Sequence, residues 1–144
     1  MPKDFTICVI DDDAVYQFIV TKSLQSKKTI KNVLNFSNGA GAIEFLMAHS
    51  HNRDKLPDVI FLDVSMPVMN GWEFLEAYVK IKPTVDKKIS IYMVTSSVDP
   101  ADMVRARRIS ELSGYIVKPL QADLLKSILE ALEKETHVNT SFEV

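Results

Sequence analysis

A chain of 144 residues, 47% of them hydrophobic, has about the length of one domain and ample apolar content for a single buried core. A net charge of −2 with both signs interspersed excludes a global electrostatic case for nucleic acid or a membrane surface. No apolar run reaches the roughly 18 residues that cross a bilayer or forms a signal peptide's core, and the one cysteine, Cys8, lies inside an apolar run, so a cytoplasmic protein is expected.

Residues 5–10, rich in β-branched and aromatic side chains, predict a first strand that runs straight into Asp11, Asp12 and Asp13. Adjacent carboxylates repel unless they are solvated or gather around a cation. Val15, Phe18 and Ile19 follow at helical spacing and predict an amphipathic first helix, with Asp13 at its start, where a carboxylate complements the dipole. A second strand is predicted at 33–36 and a second helix through Ile43, Leu46 and Met47. The third strand, 59–62, stops at Asp63; Asn70-Gly71 then turns the chain into a helix carrying Leu75, Tyr78 and Val79. A fourth strand at 89–94 ends at Thr95, and Asp99-Pro100 opens a fourth helix over about 99–109. The fifth strand, 115–117, stops at Lys118, and Leu125, Ile128, Leu129 and Leu132 mark the last helix. Residues 135–144 read as a polar tail. Five strand–helix alternations define an α/β doubly wound parallel sheet with helices on both faces.

In such a sheet the carboxyl ends of the strands lie on one edge, where ligands bind. Asp11 and Asp12, Asp63, Thr95 and Lys118 would therefore converge from different parts of the chain. Mg²⁺ prefers oxygen ligands and keeps several waters, so Asp12 and Asp63 with a backbone carbonyl suffice to bind it. Asp63 is also a candidate nucleophile, because carboxylates accept phosphoryl groups as aspartyl phosphates. Lys118 brings a mobile positive charge and Thr95 a hydroxyl donor, which suits a reaction catalysed mainly by positioning and charge.

The motifs VIDDD, FLDVSMPVMNG, TSS and GYIVKP, in that order and each at a predicted strand end, resemble the receiver domain of two-component response regulators over residues 4–134. The resemblance implies a five-stranded flavodoxin-like sheet in the order 2-1-3-4-5. It further implies that Asp63 is the phosphoacceptor, that Asp11 and Asp12 are the acidic pair with Asp12 the more direct Mg²⁺ ligand, and that the Ser65 carbonyl completes the metal site. Lys118 would contact the phosphoryl group through a loop with a cis Lys118–Pro119 bond, and Thr95 and Tyr115 match the switch positions. Ser96 departs from the family's usual alanine, and Ser65 and Ser97 occupy variable positions that influence phosphoryl lifetime.

The implied function is that of a single-domain response regulator, phosphorylated by a histidine kinase or histidine phosphotransfer protein and acting on a downstream protein target through the fourth helix, fifth strand and fifth helix. A phosphatase with an aspartyl-phosphate intermediate is an alternative; it would want a second aspartate where Ser65 stands. A flavodoxin-like cofactor carrier is another, but three aspartates after the first strand repel phosphate. Arg105, Arg107 and Arg108 read as a solvated helix face, and His49, His51 and His137 lack the company of further metal ligands. The few residues after the fifth helix leave no room for another domain, so a stand-alone receiver is expected.

Overall fold

The computed structural model describes residues 4–137. Its strands are β1 (Phe5–Ile10), β2 (Ile30–Phe36), β3 (Val59–Leu62), β4 (Ser90–Thr95) and β5 (Leu112–Val117). The helices between and after them are α1 (Ala14–Gln25), α2 (Gly39–Ala48), α3 (Gly71–Ile81), α4 (Pro100–Arg107) and α5 (Ala122–His137), with a short 3-10 turn at Lys82–Thr84. The sheet is parallel throughout, in the order β2-β1-β3-β4-β5. Helix α5 enters the segment read as a tail, and residues 138–144 lie outside the described residues.

The central strands are buried on both faces because alternate side chains feed two cores. Ile7, Val9, Val59 and Phe61 pack with Val20 and Leu24 of α1 and with Leu125, Ile128 and Leu129 of α5. Cys8, Ile10, Ile60 and Leu62 pack on the other side with Leu46 of α2, Phe74, Leu75 and Tyr78 of α3, and Ala106 of α4. Burial pushes the Cys8 thiol far up in pKa, which leaves it a small, inert core residue.

Asp13 caps α1, accepting from the Val15 and Tyr16 amides at 3.0 and 3.1 Å. The face that α1 buries is not the one its apolar spacing predicts. Val15, Phe18 and Ile19 are 69%, 64% and 61% exposed, while Val20 and Leu24 point inward. The reason is Gln17, whose side-chain amide sits beneath the helix and donates to the carbonyls of Val9, Asp11 and Phe36 at 3.0–3.1 Å. These acceptors end strands β1 and β2, so satisfying them takes the inward position that an apolar residue would otherwise fill. Met47 and Val79, also grouped with the apolar faces of their helices, are exposed, whereas Leu46, Leu75 and Tyr78 are buried. Arg105, expected on a solvated face, lies over the Trp72 ring at 4.5 Å and joins α4 to α3.

Candidate functional site

The register of the central strands assembles the site. Ile10 pairs with Leu62, so Asp11 and Asp63 leave the sheet side by side. Thr95 pairs with Val117, and the next amide, that of Lys118, donates to the Thr95 carbonyl at 2.8 Å. One carboxylate oxygen from each of Asp11, Asp12 and Asp63 falls within 4.8 Å of the others. Asp11 and Asp63 are buried and Asp12 is exposed.

Each buried group is held. The Asp11 carboxylate accepts from the Asp13 amide at 2.9 Å through Oδ1 and from the Lys118 ammonium at 2.7 Å through Oδ2. Asp63 Oδ1 accepts from the Val64 amide at 2.8 Å, and its Oδ2 is 3.6 Å from Lys118 Nζ. Burial, then the neighbouring Asp11 charge, raises the Asp63 pKa above its ordinary value, although Lys118, the Val64 amide and the Thr95 hydroxyl pull it down. For Lys118, burial lowers the pKa, but the hydrogen bond to Asp11 and the charges of Asp63 and Asp11 outweigh it and the net shift is upward. The ammonium therefore stays charged between the two carboxylates. The Lys118–Pro119 bond is cis.

The acceptor loop is set by α3. Asn70 and Glu73 form a reciprocal capping box at 2.9 and 3.0 Å. Gly71 follows, its amide donating to the Val64 carbonyl at 2.8 Å. A Cβ on Gly71 would overlap the Asp63 carbonyl oxygen and come within 3.1 Å of Val64 Cα. The dipeptide, expected only to turn the chain, thus also seats the backbone beneath Asp63. Between them Met69 N–H donates to the Pro67 carbonyl at 2.7 Å around Val68, whose φ of 66° makes a γ-turn.

Thr95 is buried at the end of β4, and its hydroxyl accepts from the Ser97 amide at 3.3 Å. Tyr115 donates its hydroxyl to the Ser97 carbonyl at 3.0 Å, so the aromatic position already reaches the loop after Thr95. Ser97 Oγ in turn donates to Asp102 Oδ2 at 2.7 Å, tying this loop to α4. Ser65, two residues past Asp63, is exposed. His49 packs tilted against the Phe45 ring and His51 pairs with Asp86, so neither joins the acidic cluster.

Sequence reasoning missed Tyr16. Its ring lies under Lys118 Nζ, 4.2 Å from the centroid. Burial is the main reason that its hydroxyl pKa is raised; Lys118 lowers it, and Asp11 and Asp63 raise it. The available signal was position: Tyr16 follows three residues after the capping Asp13, on the first turn above the strand ends.

A buried carboxylate flanked by an acidic pair, a lysine and a threonine at the carboxyl edge of a five-stranded parallel sheet defines a phosphoacceptor class of site. The chain belongs to the response regulator receiver domain family, whose model matches residues 7–130. It is 32% identical over 126 residues to the chemotaxis protein CheY of Bacillus subtilis, covering 88% of this chain and 93% of that protein. It is also 31% identical over 129 residues to the sensor histidine kinase CheAY of Helicobacter pylori, covering 90% of this chain but 15% of that longer protein. Among solved structures, a two-component response regulator from Cytophaga hutchinsonii superposes with a TM-score of 0.81 at 26% identity, covering 92% of this chain and 99% of that one. The phosphatase and cofactor-carrier alternatives find no support beside this match.

Proposed function

We propose that the chain is a cytoplasmic phosphoacceptor of a two-component system, and that Asp63 takes a phosphoryl group from a phosphohistidine on a histidine kinase or histidine phosphotransfer protein. The observation that carries this reading is the Lys118 ammonium held at 2.7 Å from Asp11 and 3.6 Å from Asp63. An Asp63 oxygen attacks phosphorus, the P–N bond breaks, and its electron pair returns to the imidazole. Lys118 can then move from carboxylate to phosphoryl oxygen, while the Thr95 hydroxyl donates to another. Hard oxygen donors within 4.8 Å of one another, one of them exposed, fit a divalent cation. Asp11, Asp12 and Asp63 with the Ser65 carbonyl would hold Mg²⁺, which would supply the charge that offsets the incoming phosphoryl group.

The exposed Val15, Phe18 and Ile19 of α1 supply the surface on which the donor docks. They rise from the turn that begins at the acidic pair, and a phosphohistidine must come within bonding reach of Asp63 on the same edge. Output runs through Thr95 and Tyr115 to α4, β5 and α5 and on to a downstream protein target. No catalytic turnover of an external substrate is required of the chain.

The reading is tested with phosphoramidate and Mg²⁺. Wild-type protein should gain one phosphoryl group, mapped to Asp63, and Asp63→Asn should gain none. Modification at another residue, or undiminished modification of the variant, overturns it. Separately, Phe18→Asp should slow transfer from a cognate phosphohistidine protein while leaving the phosphoramidate reaction unchanged.

A further inference from the structure

We propose that Tyr16 is a positioning residue for Lys118: its ring face holds the ammonium over the acidic pocket and closes that side of the pocket to solvent. The inference rests on the reading of Asp63 as acceptor and goes beyond it, to what fixes the lysine that serves it.

A lysine stem has four rotatable carbons, so an ammonium asked to meet a phosphoryl oxygen must be restrained by something other than the group it will meet. Asp11 at 2.7 Å supplies one restraint, but a bond that strong opposes the move toward Asp63. The ring supplies the other. Its centroid lies 4.2 Å from Nζ, within the range in which an aromatic face attracts a cation. A ring face is broader than one hydrogen-bond acceptor and ties Lys118 to neither carboxylate oxygen, so the ammonium can change partners while it stays over the ring.

The ring is itself fixed. The Tyr16 amide donates to the capping Asp13 carboxylate at 3.1 Å, so the residue's backbone is tied to the acidic loop. The half-buried ring packs against the core that α1 and α5 share with the sheet. An aliphatic side chain could fill the same space, but it has no negative face to offer.

The test uses Tyr16→Phe, which keeps the ring, and Tyr16→Leu, which keeps bulk without it. Without donor or metal, NMR should find the Lys118 ε-methylene protons shifted upfield by the ring in wild type and Tyr16→Phe, and near their ordinary position in Tyr16→Leu. With phosphoramidate and Mg²⁺, Tyr16→Leu should accept phosphoryl about three- to tenfold more slowly and Tyr16→Phe within about twofold of wild type. A Tyr16→Leu variant that matches wild type in both measurements overturns the inference. Equal losses in both variants overturn it as well, since they would place the effect in the hydroxyl. Wild-type protein that accepts no phosphoryl group overturns the acceptor reading instead, and the Lys118 shift of the unmodified protein still decides whether the ring holds the ammonium.

Discussion

Asp63 is held in a state that disfavours its own charge. Burial is the largest cause and Asp11 the second, and Lys118 only partly offsets them. Between the ordinary carboxylate pKa and the raised folded value, the native chain binds more protons than the unfolded one, so stability falls as pH rises through that window and the deficit is complete above it. Asp63→Asn removes the charge and keeps the shape. At neutral pH and without metal it should be more stable than wild type, because burial penalises the Asp63 charge and the Lys118 attraction is largely spent against the Asp11 repulsion. The gain should shrink as pH drops through the carboxylate range; thermal melts at several pH values check this, and a constant gain would put its origin elsewhere. Lys118 shows the same sign of pH dependence, although here the raised pKa reflects a favoured charge. Its raised pKa makes its contribution fully present below the ordinary ammonium range and lost only as pH climbs through the folded value. These residues were legible in the sequence because each strand stops at a polar residue of the required chemistry. Tyr16 was not, since an aromatic in a first helical turn has no signature apart from the cation that it meets from a distant loop.

At the level of elements, strands β1 and β3 were legible to the residue because both faces are buried and the apolar run is continuous. The edge strands were not. β5 starts at Leu112, ahead of the predicted residue 115, because Ser113 and Gly114 carry no strand signal and are recruited by pairing with β4. Helix α1 shows the converse failure: periodicity found the helix and misassigned its face, since the inward place is taken by an amide that serves strand-end carbonyls. Gln17→Leu would look favourable by pattern alone, yet it would take the side-chain donor from those carbonyls, of which that of Phe36 keeps the Asp11 amide. It should destabilise the fold by about 1–3 kcal/mol in urea melts, and a neutral result would mean that the carbonyls find other donors. Helix α3 reaches the site through its first residue. Gly71→Ala introduces a methyl group into the Asp63 carbonyl, so the loop must shift. The expected cost is about 1–3 kcal/mol of stability, together with slower phosphorylation by phosphoramidate, whereas a variant equal to wild type in both would show that the loop yields freely.

Across the whole molecule, the site and the proposed output surface lie at the ends of one chain of contacts. The Thr95 hydroxyl helps to lower the Asp63 pKa and accepts from the Ser97 amide, the Ser97 carbonyl receives the Tyr115 hydroxyl, and Ser97 Oγ donates to Asp102 of α4. Tyr115 already donates to the Ser97 carbonyl in the unmodified chain, so phosphorylation is expected to tighten an arrangement that exists. A phosphoryl group can bias this arrangement only through a contact that differs between the two states, and the contact we propose is with the Thr95 hydroxyl. A hydrogen bond to a charged group is worth about 1.5–3 kcal/mol, which shifts a two-state population about tenfold or more. Thr95→Val removes the hydroxyl and keeps the volume. It should still accept phosphoryl on Asp63 and show a much smaller change in amide shifts across residues 101–109 and at Tyr115. Tyr115→Phe should break the same chain one link later, preserving the Thr95 response and losing that of α4. If Thr95→Val responds at α4 as strongly as wild type, the signal bypasses the Thr95 hydroxyl and reaches α4 by way of the acceptor loop and the Trp72–Arg105 contact.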